Sequence, residues 1–114
     1  MEIINKLNEW GANTEIGIKR CANNTNLYIR LVKMIPLNDD FKKVGDTLNN
    51  LNYTEGFKLA HAIKGVVANL ELIHLLNPIS EITELLRNEK EGNYLELYNE
   101  LLKELYELRL ICNL

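Results

Sequence analysis

The chain has 114 residues, of which 46% are hydrophobic and 25% charged, with a net charge of −3; this suits one folded domain over residues 1–114 with a moderate core of its own. No run is long and apolar enough for a membrane span, and an acidic balance with scattered lysines leaves no basic footprint for nucleic acid. Neither membrane nor nucleic acid is expected as a partner.

Met1–Lys6 lacks a basic stretch followed by an apolar run, so no secretory signal is read there and the expected home is the cytoplasm. Cys21 and Cys112 have neither metal-ligand nor redox spacing, and no disulfide or metal is expected. Ile3, Ile4, Leu7 and Trp10 recur at helical spacing until Gly11 stops them. Thr14 to Arg20 predicts a further turn or two, followed by turn and cap chemistry at Asn23, Asn24 and Thr25. Leu27, Leu31, Met34 and Ile35 mark a first bundle helix that Pro36 should end by pushing Ile35 out of the α region. Asn38 or Asp39 then caps a helix carrying Phe41, Val44, Leu48 and Leu51.

Asn52 with Glu55 fits a capping box, the carboxylate returning to the Asn52 amide, and opens a helix from about Tyr53 to about Leu70. At 100° per residue, His61, Lys64, Gly65 and Ala68 share one stripe, while Leu59, Ile63, Val66, Val67 and Leu70 gather on the opposite one. The apolar stripe faces a core, so His61 faces water, with a lysine one turn away and no side chain at position 65. Phe57 and Leu72 extend the outward stripe and, with Lys58, Gly65 and Ala68, are expected to form a docking patch; the competing reading covers Phe57 with the N-terminal segment. Leu72 to Arg87 is either one kinked element or a short turn followed by a helix with Pro78 in its first turn. Asn93 with Glu96 makes a second capping box before a long final helix striped by Leu95, Tyr98, Leu101, Leu102, Leu105, Leu108 and Ile111. No stretch alternates with period two. The fold class is all-α: an antiparallel up-down-up-down four-helix bundle with short N-terminal capping helices, expected to be a monomer.

Ala60-His61-x-x-Lys64-Gly65 followed by Asn69-Leu70 resembles the signature of histidine phosphotransfer (HPt) domains, the phosphocarriers of multistep two-component signalling. Upstream, Gly17-Ile18-Lys19-Arg20 and then Leu27-Tyr28-Ile29-Arg30-Leu31 are similar to the family's G-[LI]-x-R segment and the helix after it, so the likeness runs from about Thr14 onward. The chain departs from the family at Glu71, where glycine is frequent, which leaves open how the signature helix ends. The resemblance implies that His61 accepts a phosphoryl group from a receiver-domain aspartate and passes it to another receiver. It also implies that response-regulator receivers and a hybrid histidine kinase are the partners, and that magnesium comes with the receiver.

The residues suit that chemistry, since an imidazole nitrogen is a competent nucleophile toward an acyl phosphate and Lys64 can bring positive charge to the phosphoryl oxygens. No nucleotide-binding motif is present, so the expectation is a carrier rather than a kinase. His74 lacks the lysine-glycine neighbourhood and reads as a structural or partly exposed residue, and Asn69 as a hydrogen-bonding group near a helix end. Two other readings compete: a helical adaptor that docks partners without transferring phosphate, and a haem or metal bundle using His61 and His74, which a kinked path between them disfavours.

Overall fold

Asparagine side chains decide where most of these helices begin. Asn13 accepts the Ile16 amide at the start of α2 (Thr14–Arg20), Asn24 accepts the Leu27 amide at the start of α3 (Thr25–Met34), and Asn52 accepts the Glu55 amide at the start of α5 (Tyr53–Asn69). Asn38 accepts the Asp40 amide at 2.9 Å as α4 (Asp40–Asn49) opens. Each bond satisfies one amide that the first turn leaves without an intrahelical partner. With α1 (Glu2–Trp10), α6 (Ile73–Arg87) and α7 (Tyr94–Ile111), the computed structural model, which describes residues 1–114, has seven α-helices, one 3₁₀ turn and no strand. None of its helices is long and apolar enough to cross a membrane.

Several local details differ from the sequence reading. Pro36 does end the α-helical ladder at Met34, but Ile35 stays in the α region (φ −62°, ψ −51°) and the chain tightens into a 3₁₀ turn over Ile35–Leu37. Proline sits comfortably there because the first residues of a helical turn have no amide bond to lose. Neither capping box closes: the Asn52 amide donates to the Thr47 carbonyl at 2.9 Å instead of to Glu55, and Asn93 accepts no amide but donates from Nδ2 to Glu96 at 3.5 Å. Pro78 lies inside one continuous helix running from Ile73, not in a first turn. Its buried ring replaces an amide, so the His74 carbonyl lacks its usual intrahelical donor.

In the core, α5 packs between α4 and α6, and α7 packs on α6. Val32, Val44, Ala60, Ile63, Val67, Leu75, Ile79, Ile82, Leu101 and Leu108 are all sealed from solvent. The indole N–H of Trp10 fastens α1 to α7, donating to Glu104 Oε2 at 2.8 Å. Gly11 ends α1 in the left-handed region (φ 112°), a backbone angle that calls for glycine, and a Cβ there would lie 2.7 Å from His74 Nε2 and displace that ring. Cys21 and Cys112 are buried and free.

The end of α5 is held from outside. Glu71 adopts φ 59°, its amide donates to Ala68, and the Leu72 amide donates to Val67, which makes a Schellman turn with a glutamate in the position glycine usually takes. Arg20 donates to the carbonyls of Ala68 (2.8 Å) and Asn69 (3.3 Å) and pairs with the Glu71 carboxylate at 2.8 Å. The Tyr28 hydroxyl donates to the Leu70 carbonyl at 2.9 Å. Gly17 makes room for this arrangement: a Cβ there would run into the Tyr28 ring and lie 3.1 Å from the Leu70 carbonyl oxygen. Gly17→Ala should therefore overpack the clamp and lower stability by about 1–3 kcal/mol, a clear drop in Tm by differential scanning calorimetry.

Burial, with the nearby Cys21 thiol and Glu71 carboxylate adding to it, pushes the Tyr28 phenol up to about 12 from its ordinary 10.0. A raised folded-state value means that the unfolded chain loses this proton first, so the contribution is whole below pH 10 and is lost as pH climbs toward 12. Tm should fall over that window, and Tyr28→Phe should flatten the fall.

Candidate functional site

The inner face of α5 is built from small and branched residues, Gly56, Ala60, Ile63 and Val67, spaced four, three and four apart, with Leu70 continuing the stripe past the helix end. That spacing turns His61 outward. It is exposed, as are Lys58 and Gly65, while Lys64, Ala68 and Phe57 are half-buried. A Cβ built on Gly65 would meet nothing within 4 Å, so the helix surface one turn beyond His61 is bare backbone.

Phe57 lies one turn before His61 on the same face, and the two rings stack with centroids 5.5 Å apart and planes 14° from parallel. The Arg87 guanidinium, from the last turn of α6, sits over the Phe57 ring with Cζ 4.9 Å from the centroid. Arg87 also meets Glu84 Oε1 at 3.2 Å. Arg87 thus lies over the Phe57 ring. Neither imidazole nitrogen of His61 takes part in a hydrogen bond within the chain. Lys58 and Lys64 form no ion pair. The neighbourhood of His61 thus carries uncommitted positive charge on a chain that is acidic overall.

Leu72 does not belong to this surface. The outward stripe was extended to it as though the helix continued, but α5 stops at Asn69 and the left-handed Glu71 turns the chain inward. Leu72 caps α6 and is fully buried, packed in the same core as Val67 in the manner of the apolar contact that accompanies a Schellman turn. Val66 departs in the other direction: placed on the core stripe by the sequence, it is 46% exposed, and Ala60 takes the buried position. Val66 joins Leu31, Met34, Leu37, Gly65 and Asn69 in lining an open, mostly apolar groove of about 800 Å³ between α5 and the α3 end. Asn69 contributes to the clamp through its backbone carbonyl, which accepts from Arg20.

His74 is exposed on α6 and tilts against Trp10, centroids 5.9 Å apart, in contact with the α1 end. No group of three or more His, Cys, Asp or Glu side chains is placed to hold a metal ion. Arg87 and Leu37 are members of this surface that the sequence did not single out, while Met34 and Val66 were read there as apolar positions of helices; the one local signal for Arg87 is its place as the basic residue of the last turn of α6.

No family model matches this chain, and no curated protein and no solved structure matches it either. The site is therefore read from its own geometry.

Since the space around Gly65 is open and its backbone is ordinary helix, Gly65→Ala should only relieve the entropic cost of a mid-helix glycine. Stability should rise by about 0.5–1 kcal/mol, measurable as a higher midpoint in urea with an unchanged slope.

Proposed function

We propose that this chain is a phosphocarrier of the HPt type, in which His61 takes a phosphoryl group from the aspartyl phosphate of one receiver domain and gives it to the aspartate of another. The observation that carries the reading is the surface of α5 itself: an exposed imidazole with both nitrogens free, an unpaired lysine one turn on, and a glycine that leaves the approach clear. In the forward step an imidazole nitrogen attacks phosphorus in line, the P–N bond forms as the P–O bond to aspartate breaks, and the carboxylate leaves. Lys64 offsets charge on the phosphoryl oxygens. Magnesium and the remaining catalytic groups come with the receiver, so the two proteins assemble one active site between them.

In this reading α5, α6 and α7, together with the α3–α4 segment joined through its 3₁₀ turn, form an up-down-up-down four-helix bundle, and α1 and α2 close one end. Receiver domains and a hybrid histidine kinase are the partners, the chain acts as a monomer in the cytoplasm, and it has no ATP-dependent kinase activity of its own. Phe57, Lys58, Gly65 and Ala68 form the docking face around His61, and the apolar groove beside Val66 extends it.

Incubation with phosphorylated receiver domains tests the proposal. The wild-type chain should acquire an acid-labile, base-stable phosphate, and His61→Gln should acquire none while melting normally, because an exposed amide replaces the nucleophile without touching the core. Label retained in that variant would move the acceptor to His74, and absence of label from wild type across a panel of receivers would overturn the reading. Gly65→Gln should keep its stability yet lose most transfer, since a side chain at that position stands where the receiver must approach.

A further inference from the structure

His61 has no hydrogen bond to fix its ring, yet it stands on a helix face where reaction requires a nitrogen to point at an incoming phosphorus. The one specific contact it makes is with the face of Phe57. A nearly parallel stack restrains the plane of an imidazole while leaving its edge open, and the nitrogen lone pairs lie in that plane, at the edge. Phe57 is itself only half-buried, and what lies over its ring is the Arg87 guanidinium, tethered in turn to Glu84. Glu84, Arg87, Phe57 and His61 form a continuous series of contacts from the last turns of α6 to the middle of α5.

We propose that Arg87 is a positioning residue for His61, acting through Phe57: the guanidinium holds the phenyl ring in place, and the phenyl ring holds the imidazole plane in the orientation that in-line transfer needs. The inference rests on the phosphocarrier reading above and names the side chain that orients its nucleophile. A guanidinium is suited to this task because it is flat, permanently charged and able to stack on a ring while still bonding a carboxylate. It also explains why an apolar aromatic stands beside the acceptor on an otherwise solvated face: the phenyl ring couples α6 to the imidazole without competing for its nitrogens.

The test uses the full-length chain as wild type, Arg87→Met, which keeps a similar length and removes the charge, and Arg87→Lys, which restores a cation. Three measurements are made on each. The ring-proton chemical shifts of His61 report the ring current of Phe57, with His74 as the reference within the same molecule. Labelling by phosphoramidate, which passes its phosphoryl to imidazole with loss of ammonia, reports access to the nitrogens without docking. Transfer from a phosphorylated receiver, followed over a range of receiver concentrations, separates the saturating rate from the half-saturating concentration.

Arg87→Met should move the His61 shifts toward those of an unstacked imidazole, leave phosphoramidate labelling within about twofold of wild type, and lower the saturating transfer rate about fivefold at an unchanged half-saturating concentration, as loss of alignment rather than of affinity requires. Arg87→Lys should recover most of both the shifts and the rate. Unchanged His61 shifts in Arg87→Met, or a transfer rate equal to wild type, would overturn the inference and leave the phosphocarrier reading standing. A wild-type chain labelled by phosphoramidate but by no receiver would overturn the underlying reading and the inference with it.

Discussion

Everything on the exposed face of α5 depends on how that helix is stopped. The last carbonyls of a helix have no amide to receive, and here they are met by side chains from far away in the sequence: Arg20 on Ala68 and Asn69, and Tyr28 on Leu70. Glu71 contributes from within the turn. A left-handed conformation is unfavourable for a residue with a Cβ, by roughly 1–2 kcal/mol, but its carboxylate returns a charge-assisted contact to Arg20. The left-handed position that glycine usually takes at such a helix end is thus filled by a residue whose side chain offsets its own backbone strain. The Gly17 to Arg20 segment follows from the same geometry, with the glycine admitting Tyr28 and the arginine reaching the helix end.

With its end held by Arg20 and Tyr28, α5 buries an inner face made of Gly56, Ala60, Ile63 and Val67. A helix with small residues on its buried side sits close to its neighbours, and a shift of a few tenths of an ångström is felt by all of them. The exposed face of α5 is carried on that packing.

Much of this was legible in the chain itself. Asparagines 24, 38 and 52 mark helix starts because a short amide side chain competes for backbone amides wherever it occurs, and the outward phase of His61 and Gly65 follows from spacing alone. What escaped has a common cause. Leu72 was misplaced because the outward stripe was carried past the helix end near Leu70, where the left-handed Glu71 turns the chain inward. Val66 was misplaced because a hydrophobic side chain can line a groove as well as a core. Ile35 kept its α conformation because the packed 3₁₀ turn overrides a local preference. Arg87 lies 26 positions beyond His61, on another helix, and no local pattern announces that it will cover Phe57. Local rules read local structure; contacts between helices need the fold.

Pro78 bears on how the molecule opens. By removing one rung from the amide ladder, it leaves the first turn of α6 less firmly joined to the rest of its own helix. The anchorage of that turn passes to its neighbours, the Trp10 ring against His74 and the close approach of Gly11. Local opening in a native protein follows such seams, so the first turn of α6 is expected to open together with the undocking of α1, at the opposite end of α6 from the Arg87 contact.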